Sequence, residues 1–134
     1  MKIKLNELNT LAKELAVELN DNTFVLLNGD LGSGKTTFTK QLLKELGVIE
    51  SVTSPSFNIM NQYKTNKFNI NHMDAYRLTK LDELDMFIES FENAINVIEW
   101  PDNLDINYND YGKVIEISIT VIDEDTREFK IIKK

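Results

Sequence analysis

Two hydrophobic rhythms alternate along the chain: three-to-four-residue steps and short continuous apolar runs. Leu8, Leu11, Ala12, Leu15, Ala16 and Leu19 fall on one face of a helix predicted over residues 6–20. Asp21-Asn22 reads as a turn. Thr23-Phe24-Val25-Leu26-Leu27 is then a short β-prone run of the kind buried on both faces. Phe38, Leu42, Leu43 and Leu46 return to helical spacing over residues 36–46, and Gly47 follows as a left-handed cap. Residues 48–55 are a polar connection. Two β-rich runs, 57–63 and 68–74, flank Lys64-Thr65-Asn66-Lys67 and predict a hairpin. Thr79 is placed to cap a helix over 80–92 whose face carries Leu81, Leu84, Phe87, Ile88 and Phe91. A second buried strand, 94–98, runs into Glu99-Trp100-Pro101, and residues 102–112 are polar and turn-rich. Strands over 113–122 and 126–133 join at Asp123-Glu124-Asp125, and residues 1–5 suit a short edge strand.

Buried strands alternating with helices predict an α/β fold, and the hairpins predict a mixed sheet with antiparallel edge strands. A length of 134 residues suits a single domain spanning 1–134. The chain carries a net charge of −7, and its arginines are Arg77 and Arg127. That balance argues against direct grip on a nucleic acid, which needs a basic face to neutralise phosphates. No 18-residue apolar run and no charged-then-apolar leader stand in the sequence, so neither a membrane span nor a secretory signal is expected. Without cysteine there are no disulfides or thiolate metal sites, which fits a reducing cytoplasm.

The chemistry gathers around Asn28-Gly29-Asp30-Leu31-Gly32-Ser33-Gly34-Lys35-Thr36-Thr37. Gly29, four residues, then Gly34-Lys35-Thr36 is the full G-x-x-x-x-G-K-[ST] pattern of a phosphate-binding P-loop, in its required strand–loop–helix context. Gly29, Gly32 and Gly34 let the backbone wrap closely round a phosphate, and the helix opening at Lys35 adds its positive end. In such a loop Lys35 reaches the β- and γ-phosphates and the Thr36 hydroxyl ligates Mg²⁺. A glycine-rich turn matching by chance is the bland reading, and the flanking elements argue against it.

Metal and attacking water need further groups. Glu99 follows the buried run Ile95-Asn96-Val97-Ile98 and would sit at a ligand-binding strand end if that strand lies parallel to the first. It reads equally as a Walker-B-like carboxylate or a solvated strand-end acid. Asp74 follows a β-rich run within His72-Met73-Asp74-Ala75-Tyr76-Arg77, which offers metal, proton-transfer and phosphate contacts together. A lone histidine such as His72 is more often a packed or hydrogen-bonded imidazole than a ligand. Arg77 could equally pair with Asp82 or Glu83. The hydroxyls of Thr53-Ser54-Pro55-Ser56 suit a segment that senses a γ-phosphate.

Four motifs, residues 28–37, Thr53-Ser54-Pro55-Ser56-Phe57, residues 72–77 and Glu99-Trp100-Pro101, resemble the TsaE (YjeE) family in order and spacing over nearly the whole chain. The resemblance implies a small ATPase of P-loop, three-layer type that acts in making threonylcarbamoyladenosine (at adenosine 37) in tRNA. It implies ATP and Mg²⁺ as cofactors and the TsaD and TsaB proteins as partners, with tRNA reached only through them. Thr36 and Glu99 would be the Mg²⁺ ligands. Residues 32–37 (Gly32, Ser33, Gly34, Lys35, Thr36 and Thr37), with Gly29 and Asp30, would form the phosphate cradle, beside Trp100. Thr53 would open a switch-like loop, and Lys35, Asp74 and Glu99 would serve the reaction. Thr10, Thr126 and Arg127 fall where the family contacts the base and sugar. Ser56 replaces the family's usual Thr and keeps its hydroxyl, and the helix over 80–92 lacks a usual glycine.

Two other classes share such a site. A small-molecule kinase needs an arginine-bearing lid and an acceptor pocket, for which two arginines and 134 residues leave little. A nucleotide-dependent binding module without turnover would look the same in sequence. GTP is not excluded by the loop itself, but Asn66-Lys67-Phe68-Asn69 lacks the acid of a guanine-reading motif.

Overall fold

The computed structural model describes residues 1–55, 59–79 and 84–134. In chain order its elements are β1 (Lys2–Lys4), α1 (Leu8–Ala16), β2 (Thr23–Asn28), α2 (Lys35–Glu45), β3 (Met60–Lys64) and β4 (Asn69–Asp74). Then come α3 (Asp85–Phe91), β5 (Ala94–Glu99), β6 (Lys113–Val121) and β7 (Thr126–Lys133). Among the described residues the strands form one seven-stranded sheet in the order β1-β7-β6-β2-β5-β4-β3.

The inner strands β6, β2, β5 and β4 are mutually parallel, and β3, β7 and β1 add antiparallel edges. The sequence explains the division. All six residues of β5 are buried, as are residues 23–27 of β2, so both strands need cover on two faces. β1 has no buried residue and β3 buries only Tyr63, and both stay at the rims.

Period-two alternation sends Val25 and Leu27 to one face, where Leu11 and Leu15 of α1 and Phe38 and Leu42 of α2 cover them. Phe24 and Leu26 face the other way, into a cluster with Phe91 of α3 and with Leu104 and Tyr108. Phe24 meets the Phe91 ring edge-on at 5.2 Å. The result is the expected three-layer α/β arrangement. The C-terminal ends of β2, β4 and β5 lie side by side, with Leu27 paired to Glu99 and Glu99 to Asp74.

Several boundaries differ from expectation. The first helix is shorter than 6–20. A 3-10 turn, Leu5–Glu7, precedes α1, and after Ala16 the Glu18 and Leu19 amides bond back three residues. That tightening still delivers Leu19 to the core. At the end of α2, Gly47 (φ 105°) bonds to the Lys44 carbonyl and Val48 to that of Leu43, so both last-turn carbonyls are satisfied. Leu84, not Thr79, stands at the cap position of α3, and Leu81, Asp82 and Glu83 lie outside the described residues. So do Ser56 and Phe57, while the rest of the hairpin forms as β3 and β4.

Candidate active site

Residue type explains the loop between β2 and α2. Gly34 holds φ 106° at the cap position of α2, a left-handed backbone that a side chain disfavours. At Gly29 the constraint is space: a Cβ would lie 2.7 Å from the Ile119 carbonyl oxygen and 2.5 Å from Ser33 Oγ. The loop is therefore pressed against β6 on one side and opens into a cavity on the other. That cavity, about 420 Å³, is lined by Gly32, Gly34, Lys35, Thr36, Thr37, Asp74, Glu99, Trp100 and neighbouring side chains. The first-turn amides of α2 have no intrahelical acceptor, and their residues face this space.

Lys35 is almost wholly buried. Its Nζ donates to the carbonyls of Gly29 (2.5 Å) and Asp30 (3.0 Å) and lies 4.3 Å from the centre of the Trp100 ring. Burial lowers its pKa from the ordinary lysine value, opposed by the charges of Glu99, Asp74 and Asp30. Trp100 reaches this position because its backbone is left-handed (φ 60°), turning the chain sharply after Glu99. Such a conformation costs about 1–3 kcal/mol and persists only where surroundings enforce it. Here the Pro101–Asn103 turn follows, and Tyr76 packs on the indole at 5.0 Å.

Glu99, buried at the end of β5, accepts from the Thr36 hydroxyl at 3.2 Å (Oε1) and 3.1 Å (Oε2). It is thus no solvated strand-end acid. Its Oε2 also lies 2.6 Å from Nε2 of His72, which is fully buried. Asp74, in register with Glu99 on the neighbouring strand, lines the cavity and accepts from the Tyr76 amide at 3.0 Å. The described donor set facing this space is oxygen-rich, and among the described residues no cluster of three or more His, Cys, Asp or Glu could hold a metal.

Other expected residues lie apart. Gly29, Asp30 and Ser33 belong to the loop but line a separate cavity of about 350 Å³ on its other side, with residues 118–121 of β6. Arg127 does reach the loop: its Nε donates to the Ser33 carbonyl at 3.1 Å, and its Nη1 to those of Asp123, Glu124 and Thr126. Thr126 lines a cleft with residues 4–6 and 123–125, and Thr10 lies exposed on α1; neither lines the main cavity. Thr53 is also outside it, its carbonyl bonded to Asn61, although Ser54 lines the wall.

The His72–Glu99 contact escaped sequence reasoning. The available signal was spacing: His72 stands two residues before Asp74 on a strand, hence on the same face. Leu31 and Ile59 also line the cavity, with no sequence signal to mark them.

Comparison with known proteins places this arrangement. The family model described as "Threonylcarbamoyl adenosine biosynthesis protein TsaE" matches residues 3–129. The chain belongs to the TsaE family. The tRNA threonylcarbamoyladenosine biosynthesis protein TsaE of Rickettsia felis is 40% identical over 131 residues, covering 94% of this chain and 74% of the relative. That of Rickettsia prowazekii is 38% identical over 133 residues, covering 96% and 90%. Among solved structures, the crystal structure of Bacillus subtilus YdiB matches with a TM-score of 0.72 at 28% identity, over 98% of this chain and 83% of that one.

Proposed function

We propose that this chain is a Mg²⁺-dependent ATPase whose nucleotide cycle drives a partner complex in threonylcarbamoyladenosine formation on tRNA. The observation that carries the reading is the Thr36 hydroxyl held at 3.1–3.2 Å from the buried Glu99 carboxylate beneath the loop headed by Lys35. Two ligands side by side on an octahedral ion at 2.0–2.1 Å are about 2.9 Å apart, so these oxygens need shift only slightly to share one. Two protein oxygens also suit Mg²⁺, which keeps waters and substrate phosphates in its remaining positions. Thr36 and Glu99 would hold the ion, which when bound would supply positive charge to offset that of the phosphates.

The chain's own residues would do the rest. Lys35 would exchange the Gly29 and Asp30 carbonyls for phosphate oxygens, and the turn at Gly32 and Gly34 would cradle the phosphates. Asp74, at the same strand ends as Glu99, would orient the attacking water and receive its proton. Trp100 would shield the site from solvent.

The net charge of −7 supports a protein partner as the reader of this cycle, with tRNA reached only through it. The partner expected from family membership is the TsaD–TsaB pair. The test is ATP hydrolysis and co-elution of the chain with TsaD and TsaB, in ATP and in ADP. Slow hydrolysis alone, faster hydrolysis with the pair, and nucleotide-dependent association are expected. No association in either nucleotide would defeat the partner-driven reading.

A further inference from the structure

We propose that His72 is a positioning residue that gives the Thr36–Glu99 pair a preference for Mg²⁺ over Ca²⁺; this rests on the metal reading above. His72 lies in β4 with no solvent exposure, and register places it opposite Val97, two residues before Glu99 on β5. From there its Nε2 meets Glu99 Oε2 at 2.6 Å. Its Nδ1 is buried and has no hydrogen-bond partner among the described residues. A buried N–H without an acceptor is costly, so the ring is best satisfied with its hydrogen on Nε2, donated to Glu99.

The consequence falls on the carboxylate. Both oxygens stand near the Thr36 hydroxyl, at 3.2 and 3.1 Å, but Oε2 already accepts from the imidazole, so Oε1 is the oxygen left unengaged for an ion beside Thr36. Ca²⁺ takes six to eight oxygens at 2.3–2.6 Å and readily accepts a bidentate carboxylate. Mg²⁺ demands octahedral geometry at 2.0–2.1 Å and takes one oxygen per carboxylate. Holding Oε2 therefore favours the smaller ion. A purely structural histidine would serve the core without distinguishing the two cations.

The test is ADP affinity measured by calorimetry with no divalent cation, with Mg²⁺ and with Ca²⁺. In the wild type Mg²⁺ should tighten ADP binding more than Ca²⁺ does. His72→Leu should cut the advantage of Mg²⁺ over Ca²⁺ by about tenfold, the low end of what outer ligands of metal sites contribute. Its cation-free affinity should stay unchanged. His72→Gln carries an N–H at the reach of Nε2 and should keep most of the advantage. His72→Asn is polar but too short and should lose it, so this pair carries the test if the leucine variant does not fold. An unchanged cation ratio in His72→Leu, or equal ratios in the Gln and Asn variants, would overturn the proposal while leaving the metal reading intact. A wild type whose ADP affinity ignores both cations would instead overturn the metal reading, and this one with it.

Discussion

On the cavity side of the glycine-rich loop Lys35 donates to two loop carbonyls, and beyond it side chain meets side chain: Thr36 on Glu99 and Glu99 on His72, at or near the ends of parallel strands or the start of α2. On the β6–β7 side the bonds run from one guanidinium to four main-chain carbonyls, those of Ser33, Asp123, Glu124 and Thr126. The first arrangement depends on the chemical identity of each partner. The second depends only on a donor fork in the right place, since every residue there supplies the same carbonyl. The cavity side is thus the candidate for chemistry, and the Arg127 side holds the loop against the hairpin that follows β6.

That contrast can be broken from either side. The largest effect is expected at Lys35. Lys35→Ala should weaken ATP binding about 100-fold, matching the roughly 3 kcal/mol of a strong charge-assisted hydrogen bond, while thermal stability changes little. Equal ATP affinity of variant and wild type in calorimetry would remove the phosphate role.

Arg127→Ala should show the reverse balance. Losing the fork leaves carbonyls that are partly open to water, so stability should fall by about 1 kcal/mol in urea unfolding. ATP affinity should fall only a few-fold, through a looser loop. A loss as large as that of Lys35→Ala would make Arg127 a direct nucleotide contact, as the family resemblance implies.

The smallest effect belongs to Asp123 in the same hairpin turn. Its carboxylate accepts from the Asp125 amide at 2.9 Å, and this bond, then one from the Thr126 side chain, lowers its pKa below the usual 3.8. A lowered folded value stabilises the turn above 3.8 and loses that support as pH falls through it. Hydrogen exchange at the Asp125 amide should therefore speed up in acid relative to the rest of β6 and β7, and Asp123→Asn should abolish that extra pH dependence. Identical profiles would show the turn held by Arg127 alone.

Legibility follows the same division. β2, α2 and the end of β5 could be read because their apolar runs and the loop motif are local, within a few residues of one another. Glu99 had two readings in sequence because its meaning depends on β5 lying parallel beside β2, a pairing across some seventy residues. The His72 contact needed the β4–β5 register as well, and the closure of Lys35 onto Gly29 and Asp30 follows from the loop's three-dimensional turn. Arg127 was legible only through resemblance, since nothing in the residue pattern of β7 singles out one position. Helix ends were misjudged where 3-10 turns and carbonyl bonding, rather than apolar spacing, decide them.

In the proposed function Thr36 and Glu99 jointly hold a divalent cation beside a bound nucleotide. Trp100, the sole tryptophan, lines the cavity next to Glu99, so its emission reports binding directly. The decisive measurement is an ATP titration followed by this fluorescence, with and without Mg²⁺, in the wild type and in Glu99→Gln. Mg²⁺ should tighten ATP binding to the wild type by about tenfold or more, and the glutamine variant, which keeps the side chain's size but not its charge, should bind ATP with little regard to Mg²⁺. An equal Mg²⁺ effect in both proteins would remove Glu99 from the metal site and return it to a purely structural place at the end of β5.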